Sequence, residues 1–216
     1  EGTVLSYFYM YRALYFHRTV RAACLLLQRA LLDAFRPRGG ILGKQDFSNS
    51  QFWVDFDDHR CICLLASDRV AGRKVRALLS RKLPKMITQK EIGEASTARI
   101  LRLCQEGRYK DRIAIEAELL RSLKGKWPKL WFIALDSPTV VPYPPTRLAT
   151  RCAYLWDESK RSDLVPLHEA APHLLRLSEA TESASVYVTE VWSNKKDRNR
   201  FVRDLRDQIS KIKETG

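Results

Sequence analysis

Apolar residues recur at three- and four-residue spacing from residue 3 to residue 35, through "YFYMYRALYFHRTVRAACLLLQRALLDAF", with no Gly or Pro between them. That period marks one face of an α-helix, and Pro37 with Gly39 and Gly40 supplies the stop, so one long helix is predicted over 3–35. "ILGKQDFSNSQF" carries no period and reads as a loop. A second helix is predicted from the acidic start at Asp55, Asp57 and Asp58 through "HRCICLLAS" to Ser67. "DRVAGRKVRALLSRK" follows as a third, with Asp68 as its N-cap and a basic outer face. "LPKMITQ" is a β-prone connector, and "EASTARILRLCQE" and "DRIAIEAELLRSLKG" return to helical spacing.

The pattern then changes to short β-rich runs, "KLWFIALD", "RCAYLWDE" and "SVYVTE", with a Pro-rich turn "VPYPPTR" between the first two. "DLVPLHEAAPHLLRLSEAT" reads as a broken short helix around Pro172. The last element, "NKKDRNRFVRDLRDQISKIKE", is a highly charged helix with Phe201, Val202, Leu205, Ile209 and Ile212 as its apolar stripe. The predicted class is therefore α+β, mainly helical. A helical region over 1–126 precedes a small α/β subdomain over 127–192 and a basic C-terminal helix over 193–216.

Composition narrows this picture. The chain has 216 residues, 45% of them apolar, enough for a sizeable core. Its apolar runs, such as "LWFIAL" and "CLLL", fall far short of the roughly 20 residues that span a bilayer. No signal-peptide pattern opens the chain, so it reads as soluble and cytoplasmic, with no membrane partner. It opens at Glu1 almost directly into a helical pattern, which reads as a chain lacking an upstream part. Five cysteines (Cys24, Cys61, Cys63, Cys104, Cys152) have no framework or zinc spacing and read as buried free thiols. Lys and Arg number 38 against 25 Asp and Glu, a net charge of +13, which points to phosphate-bearing partners, nucleotides or nucleic acid.

No complete catalytic motif is present: there is no glycine-rich phosphate loop, nucleophile elbow or HExxH. Of the four histidines, His168 and His173 flank Pro172 five residues apart, a poor geometry for a shared ion. Asp55, Asp57 and Asp58 read as an acidic helix start and not a metal cluster. Trp53, Trp127, Trp131, Trp156 and Trp192 read as core anchors. The chemical signal lies in the first helix. In a regular helix Tyr11, Tyr15 and Arg18 share one stripe and His17 and Arg21 another. Such a helix either packs its rings and leaves its arginines as a solvated rim, or presents phosphate-binding forks and flat rings to a nucleotide.

"MYRALYFHRTVRAA" resembles the helix that follows the HD domain in the HD-domain phosphohydrolases, in particular their bacterial and archaeal branch. That family includes the SAM-and-HD-domain deoxynucleoside triphosphate triphosphohydrolases. "DDHRCICLLAS", "GRKVRALLSRKLPK", "LWFIALDSPTVVPYPP", "AYLWDE" and "VYVTE" are similar, in order, to the elements that follow in the family's C-terminal half. The resemblance implies a chain that supplies a wall of a dNTP pocket, an effector-nucleotide site and part of a homo-oligomer interface (dimer or tetramer). By that resemblance Tyr15 packs on the substrate deoxyribose. Tyr11 stands where relatives have a substrate-facing histidine, Phe16 stands where they have a glutamine, and Arg12 belongs to the same substrate-side set. His17, Arg18 and Arg21, with Arg73 and Arg76 of the basic helix, correspond to the effector-nucleotide site. The family's hydrolysis uses a divalent metal (Mg, Mn, Fe or Zn) held by a histidine, a His-Asp dipeptide and an aspartate. This chain has no His-Asp dipeptide, so the expected catalytic and metal ligands are in an upstream part and none is assigned here. The alternative is a non-catalytic nucleic-acid-binding or assembly subunit, motivated by the net charge and by the run "NKKDRNRFVRDLRD".

Overall fold

The computed structural model describes residues 6, 9–36, 40–43, 50–104, 109–138, 154–156, 164–166 and 184–212. The predicted helix over 3–35 is not continuous. A π-helical turn, Tyr11–Tyr15, ends at an extended His17 (φ −58°, ψ 132°), and a regular helix α1 starts afresh at Arg18–Ala34. The cause is where burial stops. Ala22, Leu25, Leu26, Arg29 and Ala30 are buried at helical spacing, whereas Tyr9, Leu14 and Tyr15 are 62%, 62% and 52% exposed. Burial at helical spacing begins only at Ala22, and His17 Nδ1 accepts the Thr19 N–H at 3.4 Å as the cap of the new helix. The stripe of Tyr11, Tyr15 and Arg18 therefore does not run along one helix.

The segment read as loop and acidic start holds a short helix α2 (Ser50–Asp55). α3 (Asp58–Ser67) begins as predicted, with Asp57 Oδ1 accepting the Arg60 N–H at 2.7 Å. α4 (Ala71–Leu79) is preceded by Asp68, whose Oδ1 accepts the N–H groups of Val70 and Ala71, both at 2.8 Å. Burial pushes the Asp68 carboxyl up, but those two N–H groups and the Arg36 guanidinium outweigh it and hold it below the usual carboxylate range. α3 and α4 approach closely at Gly72, where a Cβ would stand 2.5 Å from the Ala66 carbonyl oxygen.

Strand β1 (Lys85–Ile87) leads into a single-turn helix α5 (Gln89–Ile92), absent from the sequence reading, which Thr88 and Glu91 close as a capping box. α6 (Glu94–Cys104), α7 (Tyr109–Lys124) and β2 (Ile133–Asp136) lie where the sequence predicts them. β3 (Tyr154–Trp156) pairs antiparallel with β4 (Leu164–Pro166). β4 replaces the start of the predicted broken helix with strand; Pro172, His168 and His173 lie outside the described residues. β5 (Ser185–Val188) and the C-terminal helix α8 (Lys195–Lys211) complete the chain.

β5 is the centre of a three-stranded antiparallel sheet in the order β1-β5-β2, so all four of its residues are buried. Alternation along the strands sends side chains to two helical layers. On one face Ile87, Leu135, Val186 and Val188 pack with Ile100, Leu119 and Leu123 of α6 and α7 and with Phe201, Leu205 and Ile209 of α8. On the other, Phe132, Ala134 and Tyr187 pack with Ala22, Leu25 and Leu26 of α1 and Ala77 of α4. Every member of the stripe predicted for α8 is buried, from Phe201 to Ile212. The sheet takes strands from both sides of residue 127, and the core crosses that boundary.

Two ion pairs cross this core. Arg29 donates from Nε and Nη2 to Glu116 at 2.7 and 2.6 Å, and Glu116 also accepts the Leu135 N–H at 2.9 Å. Arg21 donates from Nε to Asp136 at 2.9 Å and from Nη2 to its other oxygen. The cysteines differ from expectation: Cys24 and Cys63 are exposed and Cys61 and Cys104 half-buried, all four free thiols. Cys61 and Cys104 pack against the edges of core clusters, whereas Cys24 and Cys63 lie on outer helix faces; Cys152 lies outside the described residues. No helix among the described residues is long and apolar enough to cross a membrane.

Candidate phosphate-binding groove

The start of α1, the end of α4, strand β1 and the start of α8 enclose two adjoining hollows. The first, of about 530 Å³, is lined by Arg18 and Thr19 from α1, Lys85 and Met86 from β1, Glu91 from α5, and Trp192 and Arg198 near α8. The second, of about 620 Å³, is lined by Arg73 and Arg76 from α4, Lys82, Trp131 and Thr189. Arg81, Leu83, Lys85 and Glu190 line both, so the hollows form one groove.

Local structure aims the cations. On α4, Val75 and Ala77 are buried, which turns Arg73 and Arg76 outward. Arg73 lies over the Trp131 ring with its guanidinium carbon 4.7 Å from the centroid. The helix then ends in a Schellman motif: the Lys82 N–H reaches the Ala77 carbonyl at 2.8 Å and the Arg81 N–H the Leu78 carbonyl at 3.0 Å. Arg81 occupies the left-handed position with φ 55°, where glycine is the usual residue. The backbone therefore carries strain at a residue whose side chain borders both hollows.

Cations outnumber carboxylates in the groove. Glu91 is engaged three ways, with Arg198 on one oxygen and the Thr88 N–H and hydroxyl on the other, the latter two at 2.9 Å. Burial raises the Glu91 carboxyl, and these partners, Arg198 foremost, pull it below its ordinary value. Glu190 sits 3.6 Å from Lys85, and both side chains are about half exposed, 51% and 54%. Such a pair contributes little in water. Arg18, Arg76, Arg81 and Lys82 enter no ion pair among the described residues. The Thr189 hydroxyl, shielded from solvent at the groove wall, has no hydrogen-bond partner among them either.

Of the residues singled out from the sequence, the groove unites Arg18 with Arg73 and Arg76, which lie some fifty positions further along the chain. Arg21 is engaged elsewhere: burial works against its charge, yet the Asp136 carboxylate more than compensates and raises its pKa. His17 is exposed and caps α1, and Tyr15 is exposed outside the groove lining. The side chains of Tyr11 and Arg12 lie outside the described residues. Trp127 and Trp192 pack on Phe201 as core anchors, whereas Trp131 carries Arg73 at the groove. Arg81, Lys82, Lys85, Glu190 and Arg198 were not singled out. The visible signal was "SRKLPK", a cluster of cations at a helix end where glycine is expected.

Forked and point-charge donors beside an indole suit a ligand that carries several phosphate oxygens and a ring. Among the described residues the lining of the groove includes Glu91 and Glu190 and no His, Cys or Asp. Among the described residues no group of three or more His, Cys, Asp or Glu side chains converges to hold a metal ion. The described residues thus offer no fitting ligand set for a divalent metal. No family model matches the chain, and no curated protein is significantly similar to it.

Proposed function

We propose that this chain binds nucleoside triphosphates in the basic groove, as the effector-nucleotide part of an HD-type phosphohydrolase that converts dNTP to deoxynucleoside and triphosphate. The observation that carries the reading is the meeting of Arg18 with Arg73, Arg76, Arg81, Lys82 and Lys85 around one open groove. The residues that resemble the family's effector site are drawn from two distant segments, and three of them share this surface. The phosphates lie among the α4 cations, and the sugar and base extend along the Trp192 side. The engagement of Arg21 by Asp136 makes it a support of α1 in this reading and not a ligand contact.

Calorimetric titration with dGTP, dATP, tripolyphosphate and a deoxynucleoside tests it. The triphosphates and tripolyphosphate bind, the deoxynucleoside does not, and Arg73→Glu with Arg76→Glu weakens binding at least about tenfold, the loss of one or more charge-assisted contacts. Equal binding by variant and wild type, or absence of triphosphate binding, overturns the proposal. The hydrolase context has its own test: in the assembled enzyme Tyr15→Ala lowers turnover, measured as released triphosphate, and unchanged turnover removes Tyr15 from the substrate side.

A further inference from the structure

In sequence, Asp197, Asp204 and Asp207 break up the positive charge of the last helix. Folding removes most of that interruption. Asp204 is buried, with the Trp127 indole N–H donating to it at 3.1 Å and Lys126 Nζ at 3.2 Å. Asp197 closes the N-terminal cap of α8, its carboxylate accepting from the Asn194 amide at 3.0 Å while its N–H donates to the Asn194 side-chain oxygen at 2.9 Å. Asp207 remains exposed and marks the C-terminal end of the stripe.

What is left on the outer face is Lys196, Arg200 and Arg203, exposed at i, i+4 and i+7 and in no ion pair among the described residues. They form a ridge roughly 10 Å long at 1.5 Å per residue. Beside it Lys126, Trp127 and Arg200 border a hollow of about 220 Å³, which Asp197 and Asp204 also line. Trp127 is half-buried and held there by Asp204 and by an edge-on contact with Phe201, centroids 5.3 Å apart. This surface is separate from the groove: Arg198, which lines the groove, lies two residues and so roughly 200° around the helix from Lys196.

We propose that the Lys196, Arg200, Arg203 ridge, with Lys126 and Trp127, binds single-stranded nucleic acid through its phosphodiester backbone. A row of cations beside a fixed indole is the arrangement that tracks a flexible phosphate chain and stacks an unpaired base. An anionic membrane fits less well, because the apolar side of α8, Phe201, Val202, Leu205 and Ile209, is buried in the core and cannot insert into lipid.

The test is fluorescence anisotropy of the full chain with a labelled oligo-dT, a duplex of equal length, and flotation with phosphatidylserine vesicles. Oligo-dT binds best, and its affinity falls about twentyfold between roughly 50 and 200 mM salt, as expected for three phosphate contacts. Lys196→Glu/Arg200→Glu/Arg203→Glu weakens it at least about tenfold, while Arg73→Glu/Arg76→Glu leaves it in place and removes triphosphate binding. The Gln version of the triple variant repeats the result with less change in charge, and circular dichroism confirms that both fold. Wild-type affinity in the triple variants, loss of oligonucleotide binding only in the groove variant, or binding to vesicles and not to oligo-dT overturns the proposal.

Discussion

Arginine is used in two opposite ways along α1 and α4. Towards the interior, Arg29 and Arg21 of α1 each meet a buried carboxylate in a forked contact, Glu116 and Asp136. Towards the groove, Arg18, Arg76 and Arg81 face solvent without a carboxylate partner among the described residues. The first kind of charge is part of the packing: removing either member of the Arg29–Glu116 pair strands the other in the interior, and removing Arg21 strands the buried Asp136. The second kind is surplus, and surplus cation on an open concave surface is available to an anionic ligand. Charge counted along the sequence cannot separate the two, because the distinction lies in which carboxylate the fold brings to which arginine.

The contrast is broken most severely at the interior pair. Glu116→Ala leaves Arg29 buried and orphans the Leu135 N–H, and is expected to cost about 3–5 kcal/mol of stability in urea unfolding. A loss below about 1 kcal/mol would mean the pair is solvated and the comparison fails. Next in size, Arg73→Glu with Arg76→Glu is expected to weaken triphosphate binding about tenfold or more while stability stays within about 0.5 kcal/mol, because both side chains are exposed. A large drop in stability with intact binding would reverse the assignment.

Acid sharpens the comparison at a third level. Asp68, Glu91 and Asp204 are each raised by burial and lowered more by their partners, so their folded pKa values lie below the unfolded ones. Such groups contribute stability that is fully present above the unfolded carboxyl range and lost as pH falls through the folded values. Urea midpoints should therefore hold steady above about pH 5 and fall below about pH 4. Asp204→Asn should flatten part of that fall; an unchanged acid limb would remove Asp204 from the account. The smallest effect is Arg81→Gly. Relief of the left-handed strain is partly offset by glycine entropy, so stability rises by about 0.5 kcal/mol while triphosphate affinity drops.

The architecture was readable where one face of an element is buried and its caps are local. Phe201, Val202, Leu205, Ile209 and Ile212 repeat at helical spacing and are all buried, and Asp57 caps the helix it precedes. Asp68, expected as the N-cap of α4, instead ends α3, with Val70 at the N-cap position and the Asp68 carboxylate accepting the Val70 and Ala71 N–H groups. The break at His17 was not readable, because the tyrosine-rich run keeps helical spacing, whereas in the fold burial at that spacing begins only at Ala22 and Tyr9, Leu14 and Tyr15 are exposed. α5 was hidden because a single turn shows no period, although Thr88 and Glu91 carry the spacing of a capping box. Half of the groove was legible, in Arg18, Arg73 and Arg76. The rest depends on contacts across the sheet: Lys85 comes beside Glu190 through the β1–β5 pairing, and Arg198 reaches Glu91 from the far end of the chain. The separation of Arg21 from the groove likewise follows from the position of Asp136 on β2, about 115 residues away.

In the proposed groove Arg18 of α1 and Arg76 of α4 serve one ligand. Titration of Arg18→Ala, Arg76→Ala and the double variant with the same deoxynucleoside triphosphate tests it directly. Each single change is expected to weaken binding, and the double variant to bind more weakly than either. Undiminished affinity in either single variant would separate the two arginines and contradict a shared phosphate-binding groove.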